Sequence, residues 1–131
     1  MKIRTIVNPV AGRGKASRSL KEIKEVLGEL GGSEDIVKTS RPGEGYIMSR
    51  EAARQGFEKV IAVGGDGTIR EVASGLVNTS TKLVIVPSGM GNDLARSLKI
   101  PDDLKSAARL AYSEKYQTID LATDGERYFN V

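Results

Sequence analysis

The chain has 131 residues and contains neither cysteine nor histidine, which excludes disulfides, thiolate metal sites and any His-based triad or general base. That length suits one domain, able to bury about two thirds of its unfolded surface without covalent staples. A formal charge of +3 with a pI near 9.2 favours an anionic ligand or membrane surface, while sparse aromatics and the lack of a dense Lys/Arg run argue against nucleic acid.

In chain order, residues 2–7, KIRTIV, read as a strand ended by Asn8-Pro9. The loop NPVAGRGKAS leads into a helix over roughly 17–30, where Leu20, Ile23, Leu27 and Leu30 recur at helical spacing and Gly31-Gly32 stop it. Ser19 and Glu22 would form a capping box if that helix starts late. DIVKT is a second short strand, SRPGEG a loop, and GYIMSREAARQG a helix closed by Gly56. KVIAV, residues 59–63, is a third strand, followed by a helix from about Thr68 to Val77 buried through Ile69, Val72, Ala73 and Leu76.

KLVIV is a fourth strand, and its unbroken apolar run is expected where both faces of a sheet are covered. PSGMGN is another Gly-rich loop, DLARSL a short helix, and a further helix runs from about Asp103 to Tyr112. YQTIDLA and RYFNV flank TDGE, an Asp-Gly hairpin signal. Strand and helix alternate four times, so the expected fold is α/β, with a parallel sheet covered by helices on both faces. The longest apolar runs reach four or five residues and the N-terminus has no signal-peptide core, so the reading is a cytoplasmic protein that touches membranes only from outside. The chain stops inside an apparent strand, YFNV, which reads as the end of a fragment.

Ligands of open α/β sheets bind outside the carboxyl ends of the strands. Three loops at such ends are Gly-rich: Asn8 to Lys15, Gly64 to Thr68, and Pro87 to Asp93. Glycine lets backbone approach a ligand closely, and helix N-termini offer unpaired N–H groups to anions. Together the loops point to a phosphate-bearing ligand, a nucleotide. PVAGRGKA is not a P-loop, because Pro9 stands where Gly is needed and Ala16 where Ser or Thr is needed. No G-x-G-x-x-G follows the first strand, and the protein-kinase HRD and DFG partners are missing.

GGDGTIREV (Gly64 to Val72), followed by PSGMGNDLARSL (Pro87 to Leu98), resembles the catalytic domain of diacylglycerol kinases and related lipid kinases. Sphingosine kinases and, more distantly, NAD kinases share that superfamily. NPVAGRGK, Thr39 and the IDLA…RYFNV end fit the same pattern, so the resemblance spans the chain. It implies a three-layer, mostly parallel N-terminal domain that binds ATP with Mg2+ against a β-rich C-terminal domain lying outside these 131 residues. It also implies a peripheral, membrane-presented lipid acceptor.

By the same resemblance, nucleotide contacts fall on Asn8, Pro9, Gly12, Thr39, Gly64, Gly65, Asp66, Gly67, Thr68 and Glu71, and on Ser88, Gly89, Gly91 and Asn92 of the later loop. Asp66 carries the catalytic assignment. The sphingosine-kinase branch implies a base at its position; the bacterial diacylglycerol kinases imply a Mg2+–water network on Asp66, Asp93 and Asp120, with the base in the second domain. The metal-linked role is the one adopted for Asp66. Met90 departs from the family's usual threonine and loses a phosphate-directed hydroxyl.

Each assignment has a plainer rival. Asn92 and Asp93 are good N-caps, Glu71 on a first helical turn suits the helix dipole, and Arg13 and Lys15 read as solvated or loosely phosphate-facing. Asp120 is harder to dismiss, because a carboxylate between Ile119 and Leu121 in a strand needs partners. The functional rivals are a small-molecule kinase of the NAD-kinase type and a non-catalytic nucleotide-binding module. Tyr128 and Phe129 on the terminal strand carry an expectation of self-association into homo-oligomers.

Overall fold

The structure is a computed structural model that describes residues 2–29, 35–88, 96, 99–100, 104–113, 121–124 and 127–130. Its elements in order are β1 (Ile3–Val7), α1 (Ala11–Glu29), β2 (Ile36–Lys38), α2 (Glu44–Arg54), β3 (Lys59–Gly64), α3 (Asp66–Gly75) and β4 (Lys82–Pro87). Then come α4 (Leu104–Arg109), a 3-10 turn (Leu110–Tyr112), β5 (Leu121–Asp124) and β6 (Arg127–Asn130).

Four strands form one parallel sheet in the order β2-β1-β3-β4. From β1 the chain moves outward to β2, then crosses back over β1 to β3 and on to β4. Right-handed crossovers therefore place α1 on one face and α2 and α3 on the other. Side-chain alternation on the strands supplies both cores. On the α1 face, Ile3, Val7, Ile61, Val63, Val84 and Val86 meet Ile23, Val26 and Leu27 of α1 and Ala107 of α4. On the other face, Ile6, Val60, Ala62 and Ile85 meet Ala52 of α2 and Ile69, Val72 and Leu76 of α3. Every residue of β3 is buried, which explains its continuous apolar run.

The edge of the sheet opposite the strands' carboxyl ends is tied by polar contacts. Lys59, although buried, donates from Nζ to the Ser113 carbonyl at 2.6 Å. Arg4 pairs with Asp35 at 2.9 Å while its guanidinium lies 4.3 Å from the centre of the Phe57 ring.

Two helix starts differ from the sequence reading. The span of α1 opens at Ala11 but is interrupted by Gly12, Arg13 and Gly14, with φ of 61°, 58° and 87°. Regular helix resumes immediately afterwards, before Ser19, so the Ser19–Glu22 capping box is not used. α3 begins at Asp66, two residues earlier than the apolar spacing indicated, because apolar periodicity is silent about a first turn made of Asp, Gly and Thr. β5 and β6 pair antiparallel as the Asp-Gly signal indicated, in a two-stranded sheet of their own. The side chains of Tyr128 and Phe129, and the DLARSL helix apart from Arg96, lie outside the described residues.

Candidate nucleotide site

Strand register builds the site. Val7 lies opposite Lys38 on one side and Val63 on the other, and Gly64 lies opposite Pro87. One residue on from these pairs, Thr39, Asn8, Gly64 and Pro87 form a row across the carboxyl edge of the sheet. The direction of winding reverses between β1 and β3, the topological switch point where open α/β sheets bind ligands.

The loops there are cross-braced. Asn8 donates from Nδ2 to Thr68 Oγ1 at 3.3 Å, bridging the switch point, and its Oδ1 accepts from the Val10 N–H at 3.2 Å. Its own N–H donates to the Val63 carbonyl. The Thr39 hydroxyl is buried and turned toward the Val7 carbonyl, 3.5 Å away. Beyond Asn8, the left-handed turn at Gly12–Gly14 is stabilised by the Gly14 N–H on the Val10 carbonyl and by Arg18 Nη1 on the Arg13 carbonyl. A left-handed arginine costs about 1–3 kcal/mol, strain of a kind concentrated in ligand-holding loops.

An open cleft of about 620 Å3 lies over this edge. Asn8, Pro9 and Gly12 line it from the first loop, Thr39 from the second, and Gly65, Gly67, Thr68 and Glu71 from α3 and its approach. Eight residues assigned from sequence thus meet in one cavity. Asp66 is not among the lining residues, although both its neighbours are; it occupies the first turn of α3. Gly64 stands behind the cleft and is required for packing, since a Cβ there would come within 2.8 Å of the Thr68 Cβ. Gly67 is the opposite case, with open space where its Cβ would be.

The start of α3 is suited to an anion. Its N-cap, Gly65, is extended and supplies no side-chain cap. The first-turn N–H groups lack intrahelical partners, and the helix dipole directs positive potential at the cleft. At the end of β4, Ser88 is 0% exposed and its Oγ has no partner among the described residues. A buried hydroxyl in that condition calls for a ligand or water. An uncapped helix start, an open glycine and an orphaned hydroxyl along one edge fit a bound phosphate chain.

Glu71 lines the cleft but also has a structural task. Its Oε1 accepts from the Gly45 N–H at 3.1 Å, capping the start of α2, whose own N-cap, Gly43, provides none. Sequence offered no route to this contact, because the partners are 26 positions apart. The wall formed by Ser40, Arg41 and Pro42 was also missed. Glu44 organises it, accepting from the Ser40 hydroxyl at 2.7 Å and from the Ser40 and Arg41 N–H groups. The Ser40 hydroxyl and N–H hold the Glu44 carboxyl below its ordinary pKa. Ser40 and Glu44 stand four positions apart, one more than a capping box requires, so that signature does not announce the contact.

Gly89, Met90, Gly91, Asn92, Asp93 and Asp120 lie outside the described residues. Among the described residues no cluster of three or more acidic side chains forms a metal site. Asp66 alone suffices for one protein ligand to Mg2+, which ordinarily takes one or two carboxylates plus substrate phosphates. No described helix is long and apolar enough to cross a membrane.

The diacylglycerol kinase catalytic domain family matches residues 2–123. The chain belongs to that family. It is 30% identical over 128 residues to a diacylglycerol kinase of Staphylococcus haemolyticus, covering 96% of this chain and 39% of that protein. It is 33% identical over 129 residues to a diacylglycerol kinase of Bacillus subtilis, covering 96% of this chain and 43% of that one. A crystal structure of a diacylglycerol kinase from Bacillus anthracis superimposes with a TM-score of 0.82 at 31% identity, over 98% of this chain and 47% of that one. The family's α/β fold is thus the fold of this chain, which spans about two fifths of the length of these curated relatives.

Proposed function

We propose that this chain forms the ATP-binding lobe of a lipid kinase, which transfers the γ-phosphoryl group of MgATP to a diacylglycerol-like hydroxyl presented at a membrane surface. The reading rests on one observation above all: two backbone loops, at residues 8–12 and 39–42, and an uncapped helix start converge on a single cleft at the topological switch point. Thr39 and the first loop hold one side of the nucleotide. The N–H groups at the start of α3 hold its phosphates, which approach closely because Gly67 has no side chain. Ser88 donates its hydroxyl to the phosphate chain from β4. Asp66 contributes a carboxylate toward the phosphate-bound cation. Mg2+, when bound, neutralises charge on the transferring group. With little covalent chemistry for the protein to perform, catalysis rests on positioning and electrostatics.

A phosphoryl-transfer screen with γ-labelled ATP tests the acceptor class, offering diacylglycerol vesicles and NAD side by side to a form that includes a second lobe. Label in the lipid is the expected result, and label in NAD alone would replace the lipid reading. The isolated 131 residues are expected to bind MgATP without transferring phosphate, since holding both reactants in line is worth about 7–11 kcal/mol and needs both walls of a cleft. Robust diacylglycerol phosphorylation by this chain alone would place the acceptor site within it.

A further inference from the structure

A second cavity, of about 260 Å3, lies at the opposite end of the molecule, lined by Arg50, Ala53, Arg54, Thr79 and Ser80. α2 runs antiparallel to the strands, so its last two turns, carrying Arg50 and Arg54, lie over the amino ends of β3 and β4. The loop bearing Thr79 and Ser80 enters β4 at the same edge. Strands of this length separate that edge from the nucleotide cleft by roughly 20 Å. The two sites share no lining residue.

The chemistry of the cavity is one-sided. Arg50 and Arg54 are one helical turn apart and face the same space, and no carboxylate lines it. Arg50 donates from Nη1 to the Gly75 carbonyl at a long 3.5 Å, which leaves most of its five N–H donors uncommitted to that bond. Arg54 approaches the Glu51 carboxylate only at 4.0 Å, with both side chains at least half exposed. The Thr79 hydroxyl donates to the Leu76 carbonyl at 2.7 Å and so shapes the wall, whereas Ser80 adds a hydroxyl at the rim. Asn78, just before them, has a positive φ of 61°. Both arginines gain something from the negative ends of α2 and α3. That accounts for their charge but not for their convergence on a hollow whose lining includes no carboxylate.

We propose that this cavity binds a phosphate monoester dianion. Two guanidiniums supply paired N–H donors in a fork geometry that phosphate oxygens match bidentately, and a dianion with three terminal oxygens engages both forks at once, which chloride does not. Ser80 supplies a further donor. The volume of about 260 Å3 accepts a phosphate group with its waters. Inorganic phosphate and the head group of phosphatidate offer the same chemistry.

The test is titration of the 15N-labelled chain with inorganic phosphate, with sodium chloride matched for ionic strength as control. Saturable shifts at residues 50–54 and 79–80 are expected, together with at least a tenfold loss of affinity in the Arg50→Gln/Arg54→Gln variant. Ser80→Ala, which leaves every helix contact in place, should weaken binding by a smaller factor and guards against a folding artefact. Phosphatidate-containing vesicles form a second arm, with phosphatidylcholine vesicles as reference. Arginine-dependent co-sedimentation with the former would identify the lipid head group as a source, and its absence beside saturable phosphate binding would identify the free ion. No saturable shift at these residues with either probe, or shifts confined to the nucleotide cleft, would overturn the proposal.

Discussion

The two ends of α3 each carry a glycine, and the two glycines answer to opposite demands. At the C-terminal end, a Cβ on Gly75 would run into the Ser49 hydroxyl and the Tyr46 carbonyl of α2. At the N-terminal end, a Cβ on Gly67 would meet nothing within 4 Å and would project where the cleft opens. One glycine allows two helices to touch; the other keeps a surface bare. Glycine inside a helix costs about 1 kcal/mol relative to alanine. At position 75 close packing offsets that cost within the fold, whereas at position 67 nothing in the fold does. A penalty left without a structural return is what a position kept for a ligand would carry, and substitution at Gly67 tests it.

The largest expected effect follows from the packed end. Gly75→Val should destabilise the chain by about 3 kcal/mol or more, seen as loss of the cooperative thermal transition in circular dichroism. A melting temperature near that of the unaltered chain would mean that α2 and α3 do not approach as closely as Gly75 implies. At the open end, Asp66→Asn should lower phosphoryl transfer by the catalytically complete enzyme about a hundredfold while leaving its melting curve unchanged. Normal turnover in the folded variant would return Asp66 to a structural role. Gly67→Val sharpens the contrast: stability should stay within about 1 kcal/mol, yet calorimetric affinity for MgATP should fall at least about tenfold. If Gly75→Val and Gly67→Val lost stability equally, the distinction between the two ends would collapse.

Smaller effects separate structure from function within the cleft wall. Glu71→Ala should cost about 1 kcal/mol in chemical denaturation, because the Gly45 N–H at the start of α2 loses its acceptor. No change in stability would leave Glu71 as a ligand contact only. Glu44 gives the mildest signal. Its folded pKa is depressed, so its contribution is present above the ordinary carboxylate value of 4.5 and is lost as pH falls through the lower folded value. Acidification should therefore loosen the Ser40 and Arg41 N–H groups to hydrogen exchange before the sheet responds. Simultaneous exchange of both regions would contradict that order.

The layered fold was legible because its cores are periodic. VIAV and LVIV read as strands, the latter's unbroken apolar run as expected where both faces are covered, and Ile69, Val72 and Leu76 marked the buried side of α3. Of the three Gly-rich strand-end loops, those at Asn8 to Gly12 and Gly65 to Thr68 line the cleft, while the third lies beyond Ser88 outside the described residues. What sequence could not convey is which residue faces which. The Asn8–Thr68 bond spans 60 positions and the Glu71–Gly45 cap 26, and neither leaves a local trace. The left-handed turn through Arg13 was hidden as well, since arginine carries no preference for positive φ. Asp66 drew attention as a carboxylate among glycines, yet the first-turn N–H groups beside it and the empty space at Gly67 emerge only in three dimensions.

The cleft's role is tested most directly by adding MgATP to the 15N-labelled chain and following every backbone amide. The account predicts saturable shifts at Gly12, Thr39, Gly65, Gly67, Thr68 and Ser88, absent in Gly67→Val and preserved when Arg50 and Arg54 are replaced. Saturable MgATP binding that left the amides of residues 65–68 unmoved, or no binding at all, would contradict it.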